Sequence, residues 1–412
     1  MIVSTFEQNL EKYADIAVRV GINIQQGQTL VINAPTNNME FVRLVAKKAY
    51  EAGAKDVVIE WNDEELTLLK YTLAPDEAFL EFPAWKAKGF EELAENGAAF
   101  MSIVAANPDL LKGVDPERIS NANKARGVAL EKYRNYVQAD KVSWCVIAAP
   151  SKEWAQKVFP NTTEEESMAK LWEAILMATR ADLEDPVAAW REHNSKLLNK
   201  VEYLNEKKYA KLHYQAPGTD LTIELPEKHL WVGGGGNNEN GVNFVANMPT
   251  EEVFTLPKRD GVHGVVQSTK PLNYSGNVIN NFSITFENGR IVDFTAEEGY
   301  ETLKRLVETD EGSHYLGEVA LVPHDSPISN SNIIFYNTLF DENASSHLAI
   351  GNAYSFNLEG GKTMSKEELE QHCVNTSITH VDFMIGSSEM NIDGVTKDGE
   401  REPLFRNGNW AF

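Results

Sequence analysis

Near the end of the chain, Thr379-His380-Val381-Asp382-Phe383 places an imidazole and a carboxylate two residues apart. In a strand, that spacing puts His380 and Asp382 on one face while Thr379, Val381, Phe383 and Ile385 point the other way. Two such donors can reach one metal ion; a merely solvated polar face is the plain alternative. Three further segments carry groups of the same kind. Asp341-Glu342-Asn343-Ala344-Ser345-Ser346-His347 precedes small and apolar residues and then Tyr354. Small residues let the backbone approach closely and several side chains converge, although a helix cap with a surface histidine accounts for the same pattern. Residues 247–255 hold the paired Glu251 and Glu252 behind Pro249, which also suits the first turn of a helix. In Gly317-Glu318-Val319-Ala320-Leu321-Val322 a glutamate opens an otherwise apolar, buried strand, so Glu318 requires a cation, a donor or water beside it.

Several familiar constellations fail. Gly233-Gly234-Gly235-Gly236 lacks the Lys-Ser/Thr of a phosphate loop, which leaves a flexible or closely packed loop. Gly361-Lys362-Thr363 resembles the end of such a loop, but Phe356 stands where its first glycine belongs. Neither the single-helix zinc motif of two histidines around a glutamate nor a Gly-x-Ser-x-Gly nucleophile elbow occurs. If the chain is a hydrolase, its site must be assembled from separated segments.

Composition narrows the partners. With 38 basic and 61 acidic side chains the formal charge is −23, which repels nucleic acid and anionic lipid and is compatible with attracting a cationic amine. Cys145 and Cys373 are the two cysteines, too far apart in sequence for a paired-thiolate metal motif, and they fit a reducing compartment. Residues 1–9 lack the basic and apolar regions of a leader peptide, and no stretch approaches a membrane span. The expectation is a cytoplasmic protein.

The elements that must position these groups fall into two halves. Phe6, Leu10, Tyr13, Ala14, Ala17 and Val20 recur at helical spacing, residues 41–52 read as a second helix, and residues 29–32, 56–59, 99–105 and 142–149 read as buried strands. Alternating helices and strands predict an α/β N-terminal domain with a layered parallel sheet. Residues 164–209 are helical with an interruption at Asp185-Pro186, where we place the boundary between domains 1–185 and 186–412. Beyond it come short strands such as residues 220–225, and Asn288-Gly289 between two alternating runs is a hairpin signal. The second domain is therefore expected to be α+β, rich in antiparallel strands, and catalytic. With 412 residues and 42% hydrophobic content, two cores are affordable.

Taken together, residues 247–255, 317–319, 340–351 and 379–383 resemble the aminopeptidase T and aminopeptidase S family of metallopeptidases, and the similarity runs essentially the whole chain. That resemblance implies an exopeptidase acting on peptides with a free N-terminus, two metal ions in the C-terminal domain, and a homodimer that encloses its active sites. It carries over Glu252, Glu318, His347, His380 and Asp382 as metal ligands, with Glu342 and Tyr354 close to the metals. Carboxylates with neutral imidazoles suit zinc, cobalt or manganese, and magnesium is a further candidate. Glu318 or Asp382 would bridge the ions, Glu342 would act as general base with Glu318 as its rival, and Tyr354 would ligate a metal or donate to the oxyanion. Glu251 is a candidate holder of the substrate amine, against the plainer reading of a surface helix turn. A dinuclear hydrolase acting on another bond and a non-enzymatic metal-stabilised protein are the rival readings.

Overall fold

The computed structural model describes residues 5–105, 107–275 and 277–412; residues 1–4, read above for a leader, lie outside the described residues. The chain forms two compact units. One takes the chain up to His193 together with Gly235–Pro249, and the other comprises Asn194–Gly234 and Thr250–Phe412. The helix Pro186–Lys207 begins at the expected Asp185-Pro186 break and runs from the first unit into the second.

In the first unit the apolar runs become four parallel strands in the order Asp56–Asn62, Thr29–Pro35, Ala99–Val104, Trp144–Ala148. Parallel strands need crossover connections, here the helices Met39–Glu51, Ala84–Glu95, Pro116–Ala129 and Glu131–Gln138. Thr5 caps the helix Phe6–Ile16, which continues as a wider turn over Ala17–Ile22; its Tyr13 hydroxyl donates to the Ala148 carbonyl at 2.9 Å. One part of this unit differs in texture. The helix Glu64–Leu73 buries none of its residues, and Leu66, Leu69, Leu73, Leu80 and Trp85 are exposed.

The second unit is built on antiparallel pairing. A nine-stranded sheet includes Lys211–Ala216, Thr219–Glu224, Asn391–Val395 and the hairpin Asn277–Glu287/Arg290–Glu298. Both hairpin-turn residues have positive φ, 49° at Asn288 and 79° at Gly289, as a two-residue turn of matching twist requires. A five-stranded sheet follows the order His380–Met384, His347–Gly351, Leu316–Leu321, Val253–Thr255, Val232–Gly233. Val319, Leu348 and Phe383 from this sheet join Leu212, Tyr214, Leu221 and Ile223 from the larger one in a single buried cluster. Each such side chain contributes roughly 1.5–3 kcal/mol on burial.

Candidate functional site

The opposite face of the five-stranded sheet carries the acids and imidazoles. Ala349 lies directly across from both Glu318 and Asp382, Gly351 from His380, and Ala320 from both His347 and Phe254. Opposed residues share a face, so Glu318, His347, His380 and Asp382 project together, and alternation from Phe254 adds Glu252. Ala320, Ala349 and Gly351 form the floor between them. With no bulky side chain at the centre, the longer polar ones can lean inward from four strands.

Backbone carbonyls aim the imidazoles. His347 Nδ1 donates to the carbonyls of Glu342 and Ser345, each at 3.0 Å, and His380 Nδ1 to that of Asn352 at 2.7 Å. With a proton held on Nδ1, each Nε2 presents a lone pair to the site. The turn leading to His380 is pinned by Asp310, whose carboxylate accepts from the Ser377 hydroxyl at 2.8 Å and the Ile378 N–H at 2.7 Å. Close packing does the rest. A Cβ on Gly317 would lie 2.2 Å from the Asn352 carbonyl oxygen, and one on Gly233 would lie 2.6 Å from that of Glu252. Gly233, the first of the glycine run, is thus tightly packed at the sheet edge.

Two triads result, Glu252–Glu318–His347 and Glu318–His380–Asp382. His347 Nε2 lies 3.0 Å from Glu252 Oε2 and 3.6 Å from Glu318 Oε1; His380 Nε2 lies 3.5 Å from both Glu318 Oε2 and Asp382 Oδ1. Ligands about 2.0–2.2 Å from one tetrahedral ion stand about 3.3–3.6 Å apart, the spacing of every pair here except His347 with Glu252, which is closer. A carboxylate and an Nε2 at such distances need a cation between them, a proton or a metal ion. Glu252 Oε2 and Asp382 Oδ1 are moreover buried without a hydrogen-bond donor. The donor set therefore fits divalent metal, and Glu318, one oxygen toward each histidine, belongs to both triads.

Electrostatics reflect the crowding. Burial, aided by the neighbouring Asp382 charge and opposed by His347, pushes Glu318 up to about 7. Burial together with Asp382 and Glu252 lifts Glu342 well above the carboxylate range. For the imidazoles burial works downward but loses: Glu252 and Glu318 raise His347 well above its ordinary value, and Asp382 with Glu318 raises His380 to about 9. Burial would also raise Asp382, yet the His380 imidazole outweighs it and the carboxyl sits below its usual value. Tyr354 is raised by burial and by the carboxylates of Glu318 and Asp382.

The structure thus brings Glu252, Glu318, His347, His380 and Asp382 together as two groups within ligating reach that share Glu318. Glu342 and Tyr354 belong to neither triad. Glu342 is buried in the turn Glu342–Ala344 and feels the charges of Asp382, Glu252, His347 and Glu318; Tyr354 packs its ring 4.7 Å from that of His380. Two plain readings are corrected. Glu251 is 5% exposed and no helix follows it, because the next residues pair as a strand on both sides. His347 is 1% exposed rather than a surface residue, since it opens a strand with neighbours on both sides. Asp341, in the same polar cluster, serves its own loop by accepting from the Phe335 and Asn337 N–H groups. Sequence reading gave no role to Asp310, Asn343 and Asn352, whose side chains or carbonyls support the site; polar character within the motif segment, for Asn343, and just after it, for Asn352, was the available signal.

Comparison with known proteins identifies the family. Residues 6–410 match the family described as thermophilic metalloprotease (M29). Among curated relatives, aminopeptidase AmpS of Bacillus subtilis (strain 168) is 65% identical over 410 residues, covering 100% of both chains, and aminopeptidase 2 of Geobacillus stearothermophilus is 59% identical, covering 100% of this chain and 99% of that one. The solved structure of wild-type AmpT from Thermus thermophilus superposes with a TM-score of 0.93 at 43% identity, covering 99% of this chain and 100% of the other. The chain belongs to the thermophilic metalloprotease (M29) family.

Proposed function

We propose that this chain removes single residues from the free N-termini of peptides, using two divalent metal ions held by the paired triads. Membership of a metalloprotease family, with curated relatives that are aminopeptidases, makes it a hydrolytic enzyme of that class. The observation that carries the two-ion reading is the sharing of Glu318 between two three-donor groups. Zinc, cobalt, manganese and magnesium all accept such donors, the imidazoles favouring the first three. Bound there, the ions would polarise the scissile carbonyl and acidify an attacking water.

The protein's own groups divide the remaining work. His347 and His380 are held in the tautomer that offers Nε2 for ligation. Glu342, made avid for a proton by burial and neighbouring charge, accepts the water's proton and returns it to the leaving amine. Glu318 is committed between the two histidines and is the weaker candidate for that task. The Tyr354 hydroxyl, kept protonated by burial and by the surrounding carboxylates, is suited to donate to the oxyanion. The acidic character of the site favours a substrate that arrives with a free ammonium group, and buried Glu251 is a candidate to hold it.

A cytoplasmic homodimer completes the reading. It is supported by two cysteines that form no disulfide, by the lack of any membrane-crossing helix among the described residues, and by the exposed leucines and tryptophan along Glu64–Leu73 and beyond. The test of activity compares a free-amine peptide with its N-acetylated form, with and without chelator. Cleavage of the free-amine peptide alone, abolished by chelation, is expected; equal cleavage of both would reject the aminopeptidase assignment.

A further inference from the structure

Glu252 and Glu342 reach the site from elements that share no strand pairing. Glu252 leads into the strand Val253–Thr255, whereas Glu342 opens a turn after the short helix Thr338–Asp341. The backbone ladder therefore does not fix the distance between them. Asn343, with no solvent exposure, joins the two segments. Its Oδ1 accepts from the Glu251 N–H at 2.7 Å, and its Nδ2 donates to the Leu339 carbonyl at 2.9 Å and toward Glu342 Oε1 at 3.4 Å.

We propose that Asn343 is a positioning residue: its amide clamps the Glu251–Glu252 segment to the turn bearing Glu342, and so sets the reach of Glu342 relative to the metal-binding face. The proposal rests on the reading of Glu342 as general base. An amide suits the role because it offers an acceptor and a donor in one planar group and adds no charge to a cluster that already buries four carboxylates. Leucine would fill the same volume but leave the buried Glu251 N–H unpaired, a penalty that favours movement of the segment. Aspartate would keep the acceptor toward Glu251 but lose the donor to the Leu339 carbonyl and place a carboxylate beside Glu342.

The experiment uses the full chain with Asn343→Leu, Asn343→Asp and Glu342→Gln. Co2+ is titrated into each metal-free protein by calorimetry, and kcat and KM are measured at saturating Co2+ well below Tm. Removing a group that supports metal ligands typically costs about 10–100-fold in metal affinity or activity, and that loss is expected in both for Asn343→Leu, with KM near wild type. Asn343→Asp should not recover the loss, because it keeps one half of the clamp and adds charge beside Glu342. A folded Asn343→Leu protein with wild-type kcat at saturating Co2+ would overturn the proposal, because a merely structural asparagine lowers Tm without touching turnover. Wild-type turnover in Asn343→Asp would overturn it as well, because the donor half of the clamp would then be dispensable. If Asn343→Leu does not fold, Asn343→Ser replaces it: too short to span both partners, it must show the same loss in kcat, and full turnover would refute the clamp. Wild-type turnover in Glu342→Gln would instead remove the base reading, whereas its loss alongside an unimpaired Asn343→Leu removes only the positioning role.

Discussion

The two sheets of the second unit treat their carboxylates in opposite ways. On the nine-stranded sheet Glu224 accepts from Lys211 at 2.8 Å and Lys258 at 3.3 Å, Asp220 meets His213 at 2.8 Å, and Asp393 meets Arg406 at 2.5 Å. Lys211 in particular holds Glu224 below its ordinary value. On the five-stranded sheet, the ion-pair partners of Glu252, Glu318 and Asp382 among the described residues are the imidazoles of His347 and His380, whose protons already serve backbone carbonyls. A fold able to supply ammonium and guanidinium groups to one sheet withholds them from its neighbour. Carboxylates buried in that way are stabilised by a cation from outside the chain.

The comparison breaks first at the shared ligand. Glu318→Ala should abolish activity and reduce metal bound per chain by both ions, measured by elemental analysis of the purified protein; retention of two ions would show that the triads do not depend on it. Next in size, Glu342→Gln should lower kcat by about 10²–10⁴-fold while keeping its metal, since a general base contributes on that scale. Loss of metal with loss of activity would reassign Glu342 as a ligand.

A smaller effect is thermodynamic. Ligand at a hundred times its dissociation constant stabilises a protein by about 2.7 kcal/mol, so chelation should lower Tm visibly while the second unit retains its strand signal in circular dichroism. Wholesale unfolding on chelation would favour a structural role for the metal. This stabilisation should depend on pH with a definite sign. Glu318 and His380 are raised to about 7 and about 9 in the folded protein, so each contributes stability that is complete below its unfolded value and is lost as pH rises through the folded one. Metal-free protein should therefore weaken from about pH 5 to pH 9 at these two groups. Added metal displaces their protons, so the rise in Tm on loading should be greater at pH 9 than at pH 6. A difference of the opposite sign would mean that the triads are not the binding groups.

The smallest effect belongs to the other sheet. Glu224→Gln removes a half-exposed pair and should cost no more than about 1 kcal/mol, with activity and metal content unchanged. Any effect on turnover would show that the two sheets are coupled more tightly than their charge patterns indicate.

Much of this contrast was legible in the residues. The period-two placement of His380 and Asp382, the lone glutamate opening an apolar run at Glu318, and the Asn288-Gly289 turn each encode a local conformation that the fold adopts. Both expected architectures, a parallel sheet followed by antiparallel strands, follow from the same local periodicities. Convergence was not legible. The strands bearing Glu252, Glu318, His347 and His380 become neighbours through a sheet order that no spacing along the chain specifies. Without the family resemblance, Glu252 read as well as a helix turn, because paired glutamates after proline suit either conformation and only pairing on both flanks decides between them. The polar residues that aim or clamp the ligands, Asp310 and Asn343, act through hydrogen bonds to distant backbone, which leave no periodic trace.

The close approach at Gly317 bears on how mutations at this site should be interpreted. Position 317 donates nothing to the triads, yet a methyl group added there would press on the Asn352 carbonyl that receives the His380 proton. If that carbonyl moves, His380 is free to turn over or exchange tautomer, and the ligand is lost although its codon is intact. A survey of variants in this family would then find inactivating changes at a residue with no chemistry of its own, and a library that protects the ligands while randomising Gly317 would discard most of its active members.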